Sequence, residues 1–144
     1  MSGSTDYSTG AKRSISEGRG RYDLIPAQGM GRVALVAEEG AKLYGDNNWQ
    51  KGIPLHRYVD SAMRHIQLYL SGNRQEDHVA RAAWNLLALG ATEIMILNGE
   101  ISEEMDTLGH IKAALRGLED VARFAAGGAK EEVEQGVPST NSQS

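Results

Sequence analysis

Between Val79 and Leu97 the chain is apolar almost all the way round a helix, interrupted by Arg81, Asn85 and Glu93. No other segment constrains the fold as strongly. A helix that is apolar on every side has to be wrapped by other elements, and its charged and amide groups make it a poor membrane span. Asn73, with Glu76 three residues on, has the pattern of a capping box, so this central helix is expected to run from there to about Leu97. Its wrapping is legible from the same periodicity. Val33, Val36, Ala37, Gly40, Ala41 and Tyr44 predict a first helix over about Ala27 to Tyr44, opened by Pro26 and stopped by Gly45. Leu55, Tyr58, Val59, Ala62, Ile66, Tyr69 and Leu70 predict a second, from Pro54 to about Leu70. Ser102 caps a fourth, whose stripe is Met105, Leu108, Ile111, Leu115, Leu118, Ala122 and Ala125 and whose stop is Gly127-Gly128. No segment shows the two-residue period of a strand. The expectation is an all-α bundle of about four helices over 25–126, after a flexible, Gly-rich basic arm (1–24) and before a disordered tail (127–144).

Composition removes several classes of function. There is no cysteine, which excludes a disulfide scaffold, a thiolate zinc site and a thiol nucleophile. With 19 acidic against 15 basic residues the net charge is -4, so no global cationic field exists to hold a nucleic-acid polymer. The first ten residues lack an apolar core for a secretory leader, and a cytoplasmic location is expected. The Gly-rich stretches lack the Gly-Lys-Ser/Thr ending of a phosphate-binding loop, and neither a G-x-S-x-G elbow nor an H-E-x-x-H zinc motif occurs.

What remains is a set of polar residues on apolar helices. Asp77, Arg81 and Asn85 recur at every fourth position, with His78 beside them, as one polar stripe on the central helix. Charges buried without a partner cost several kcal/mol each, so the stripe either pairs across helices or lines a cavity. Glu38 and Glu39 are adjacent and point about 100° apart. Such carboxylates suit a hard dication such as Mg²⁺ or Mn²⁺, although an isolated Glu pair is more often merely solvated. Arg64 and His65 can bind phosphate or serve as a surface cation and a core histidine. Trp49 can stack on a base or cap the core. Lys12, Arg13, Arg19 and Arg21 make the arm either a solvated tail or a strap over an anion. The histidines His56, His65, His78 and His110 can feed a His/Asp metal phosphohydrolase, but that class has histidine before aspartate and here the order is Asp77-His78.

The strings GAKRSISEGRGRYDLIP, EEGAKLYGDNNWQKGIP, DSAMRHIQLYLSGN and EDHVARAAWNLLAL, in that order from about Gly10 to Leu89, resemble the phage-associated N-terminal domain of dATP/dGTP diphosphohydrolases. That family looks like a divergent branch of the MazG-like all-α nucleoside triphosphate pyrophosphohydrolases. It has a link to phages that replace adenine by 2-aminoadenine, where dGTP is cut to dGMP. The resemblance implies a MazG-like bundle that converts a purine deoxynucleoside triphosphate, dGTP and also dATP or GTP, to the monophosphate and pyrophosphate. It implies Mg²⁺ or Mn²⁺ as cofactor, a homodimer or tetramer, and the host cytoplasm as location, with no membrane partner. The MazG-like E-E-x-x-E stretch falls on Glu38 and Glu39, with Lys42 in place of the last glutamate. The second acidic stretch falls on Asp77, with His78 and Arg81 departing from the pattern. Metal candidates are therefore Glu38, Glu39 and Asp77, with Asp60 a fourth, and Lys42 is placed to supply a missing positive charge. Lys12, Arg21, Arg64 and Arg81 are expected to clamp the polyphosphate, His65 or His78 to orient water or phosphate, and Asn48, Trp49 and Asn85 to contact the purine. Two rival readings are a His/Asp metal phosphohydrolase that releases triphosphate or inorganic phosphate and a helical nucleotide-binding adaptor without chemistry.

Overall fold

The computed structural model describes residues 3–109 and 111, and its contacts divide into two units. In the first, residues 3–20, β1 (Ser4–Asp6) pairs antiparallel with β2 (Lys12–Ser14) in the register Ser4 to Ser14, Thr5 to Arg13 and Asp6 to Lys12. Gly10, at φ +83°, closes the turn and donates to the Tyr7 carbonyl at 2.8 Å. This hairpin corrects the expectation of an irregular arm without strands. Each strand is three residues long and exposed on both faces, so no hydrophobic alternation marks it.

The second unit, from Arg21 onward, is mostly helical, as expected. It holds α1 (Ala27–Tyr44), α2 (Leu55–Leu70) and α3 (His78–Leu97), with 3₁₀ turns at Tyr22–Leu24, Asn48–Lys51 and Glu103–Met105. The ends of α1 and α2 fall where Pro26, Gly45 and Pro54 predicted them. The start of α3 does not. Asn73 is no helix cap; its Oδ1 accepts from the Gln75 amide at 2.9 Å and closes a turn. The cap is Asp77, whose Oδ1 accepts from the Ala80 amide at 3.1 Å. Ser102 also caps differently from expectation, since its Oγ accepts from Glu104 over a 3₁₀ turn. Asp106 then accepts from the Gly109 and Ile111 amides. The rest of the expected fourth helix, and the tail, lie outside the described residues.

The core lies between α2 and α3. Leu55, Tyr58, Ala62 and His65 form the inward stripe of α2, spaced at three and four residues as a buried helical face requires. Ile66, Tyr69 and Leu70, expected on that face, are exposed. Small residues on both helices (Ala62, Ala80, Ala82, Ala88) let the two axes approach. Thr92, fully buried, donates to the Ala88 carbonyl at 2.8 Å and lies 3.4 Å from the Tyr58 hydroxyl. Ile96, Ile101 and Ile111 complete the cluster with Leu55 and Tyr58. By length and composition alone α3 is apolar enough to cross a membrane; in the fold it packs against both α1 and α2. In contrast, α1 has no buried residue.

Candidate metal centre

The inward stripe of α2 ends in His65, and α3 begins with His78. The α2–α3 turn therefore delivers two imidazoles to one buried spot. Their Nδ1 atoms are 3.0 Å apart and both side chains are buried. Asn73 sets their proton states. Its Oδ1 already accepts from the Gln75 amide, and it lies 3.0 Å from His78 Nε2. An oxygen can only accept, so His78 Nε2 carries the proton and its Nδ1 keeps a lone pair. In the neutral pair His65 Nδ1 donates to that lone pair. Burial, followed by the charges of Arg64 and His78, pushes the His65 pKa down and favours neutral imidazole. Glu76, in the turn, brings Oε2 to 3.9 Å from His78 Nδ1. One ligand atom from each of His65, Glu76 and His78 lies within 4.8 Å of the others, the one such group of three among the described residues. An imidazole fixed by a hydrogen bond on its far nitrogen is the usual arrangement of a metal-ligating histidine.

Around this group is a ring of ion pairs. Arg81 Nη2 donates to Glu39 Oε2 at 2.6 Å and lies 3.6 Å from Glu76 Oε1, so one guanidinium links α1 to the candidate ligand. The buried Nε of Arg81 has no hydrogen-bond partner. Arg32 donates from Nε and Nη2 to the two carboxylate oxygens of Asp77, at 2.7 and 2.6 Å. That hydrogen bonding, above all, holds the Asp77 carboxyl below its usual range. Glu38 pairs with Lys42 one turn on, at 2.6 Å, which lowers the Glu38 pKa and raises that of Lys42.

The structure thus brings His65, His78, Arg81 and Glu39 to one place and leaves other expected site residues elsewhere. Glu38, Glu39 and Asp77 do not gather into a ligand group of their own; each is held by a different basic side chain. Asp60 and Arg64 are exposed on α2, and Arg64 donates to Ser61 at 3.3 Å. Asn85 donates to the Arg81 carbonyl at 2.8 Å. Asn48 and Trp49 sit half-buried in a 3₁₀ turn. Lys12 pairs with Asp6 in the hairpin at 3.7 Å, and Arg21 grips Asp23 at 2.8 and 2.7 Å.

Two cavities stand out among the described residues, and the first is lined by Glu76 and His78 of the centre. A polar one of about 330 Å³ is lined by Arg32, Asn73, Arg74, Glu76, Asp77 and His78, among others. An apolar groove of about 420 Å³ runs between α1 and α3, lined by residues such as Met30, Val33, Ala83, Leu86 and Leu87. The sequence singles out neither Arg32 nor Arg74, and it offers Asn73 and Glu76 as a capping box rather than as site residues. The signal was present for Glu76, as a Glu-x-His placed after a histidine on the inward stripe of α2.

A family model described as dATP/dGTP diphosphohydrolase, N-terminal, matches residues 9–104. No curated protein and no solved structure shows a significant match. The matched span holds α1, α2, α3 and every residue of the histidine–carboxylate centre. The chain therefore belongs to the dATP/dGTP diphosphohydrolase N-terminal family.

Proposed function

We propose that the chain is a metal-dependent diphosphohydrolase that converts a purine deoxynucleoside triphosphate, dGTP or dATP, and water to the monophosphate and pyrophosphate. The observation that carries this is the His65–Glu76–His78 group beside a polar cavity, in a chain of this family. The donor set fits a dication. The His78 Nδ1 carries no proton and accepts from His65, the neutral His65 frees its own Nδ1 when its proton sits on Nε2 instead, and Glu76 supplies negative charge. Two imidazoles favour a transition-metal ion, so of the two ions expected Mn²⁺ suits the site better than Mg²⁺. A bound dication would neutralise phosphoryl charge and make a water molecule more acidic.

The chain's own residues do the rest. Asn73 fixes the His78 ring. Arg81 holds Glu39 and Glu76 together and puts a positive charge at the edge of the centre. Asp77 anchors the start of α3 through Ala80 and ties it to α1 through Arg32. Of the carboxylates on α1, Glu39 is the one that reaches the centre, and Glu38 with Lys42 forms an outer pair. Arg64 and Arg21 are proposed as cations for the polyphosphate as it enters, and Asn85, Asn48 and Trp49 as the groups that contact the purine. Such substrates are cytoplasmic, which is where we place the enzyme.

The histidine-rich donor set also favours one rival, a hydrolase that releases triphosphate whole. Incubation with dGTP, dATP, GTP and ATP, each with Mn²⁺ or Mg²⁺, separates the two when products are identified. Monophosphate and pyrophosphate are expected, with Mn²⁺ preferred. Nucleoside and triphosphate would assign the rival instead, and binding without turnover would leave a nucleotide-binding adaptor.

A further inference from the structure

The polar cavity has two arginine walls that the proposed reaction leaves without a role. Arg74 belongs to the α2–α3 turn. Its Nη1 donates to the main-chain carbonyls of Tyr69 at 3.1 Å and Asn73 at 2.8 Å, and its guanidinium lies over the Tyr69 ring, 4.5 Å from the centroid. Carbonyls and a ring hold the group in place without neutralising it. Among the described residues no carboxylate forms an ion pair with Arg74. Arg32 enters from α1 and is held by Asp77. On the wall of the cavity Arg32 and Arg74 balance Glu76 and Asp77, so these four side chains sum to zero. A dication at the adjoining histidine–carboxylate group shifts that sum to two positive charges. The cavity then suits a strongly anionic ligand, and a planar guanidinium fork matches phosphoryl oxygens in particular.

We infer that this cavity is a polyphosphate seat, with Arg74 as its fixed grip and Arg32 as the opposing one. It takes an inorganic or nucleoside polyphosphate together with the metal ion. The inference rests on the proposed function for the ion, not for the reaction. Because ion and anion share one site, each tightens the other by the same factor.

The test uses the full chain and inorganic tripolyphosphate, followed by calorimetry in excess Mn²⁺ and again in chelator. Wild type is expected to bind tripolyphosphate about 10-fold or more tightly with Mn²⁺ than without. Arg74→Ala is expected to weaken binding by about 10-fold, the effect of losing charge-assisted hydrogen bonds, with Mn²⁺ affinity unchanged. Arg74→Lys restores the charge but not the fork and should fall between. Wild type that ignores tripolyphosphate, or Arg74→Ala and Arg32→Ala that bind it as wild type does, overturns the inference. If the arginine dependence holds while dGTP and dATP stay intact, the seat stands and the proposed reaction fails.

Discussion

Two imidazoles whose Nδ1 atoms stand 3.0 Å apart share one proton, because Asn73 keeps the other nitrogen of His78 protonated. The pKa of His65 is lowered, first by burial, so below about 6.5 the unfolded chain binds more protons than the folded one. Stability is then present above that pH and lost as pH falls. In chelator, the melting temperature should drop between pH 7 and pH 5, and His65→Gln should flatten that drop; parallel curves for the two would contradict it. The second prediction concerns α1. Glu39→Gln releases Arg81 from its 2.6 Å partner and so loosens Glu76. Turnover should fall by about 10-fold or more, as for other residues that orient ligands. Glu38 and Lys42 are exposed, and Glu38→Ala should change turnover by less than about 3-fold. Steady-state rates settle both, and the reverse order would move the ligand set onto α1. Read singly, His65, His78, Glu39 and Arg81 were all legible as polar residues on apolar helices. Their grouping was not, because it depends on a turn that brings together residues far apart in sequence.

At the level of elements, punctuation carried more information than periodicity. Pro26, Gly45 and Pro54 mark α1 and α2 because proline lacks an N–H and glycine tolerates the φ of +88° found at Gly45. The start of α3 departs from expectation because Asn73 and Asp77 are both good caps, and spacing alone does not choose between them. The fold chooses Asp77, since only a helix beginning at His78 sets that ring against His65. Asp77→Ala should therefore cost about 1 kcal/mol of stability from the lost cap, read as a lower urea midpoint with the slope unchanged. No change would mean that the Ala80 amide finds another acceptor. The hairpin was illegible for a different reason: its strands pair through main-chain atoms, and no face of them is buried.

For the molecule as a whole, the unburied α1 is the outstanding feature. Met30, Leu35, Leu43 and Tyr44 are exposed on it, and its groove with α3 is apolar. We propose that a second copy covers this face, giving the homodimer or dimer of dimers expected from the sequence. Light scattering at micromolar concentration should report an oligomer, and Met30→Glu should convert it to a helical monomer; a monomeric wild type would contradict this. The proposed function, however, rests on a bound ion. Mn²⁺ titrated into wild type, Glu76→Gln and His78→Gln, with free ion read by electron paramagnetic resonance, should show a site in wild type that either substitution weakens by about 10-fold or more. Equal Mn²⁺ affinity in all three would mean that the ion, and the chemistry with it, belongs elsewhere in the protein.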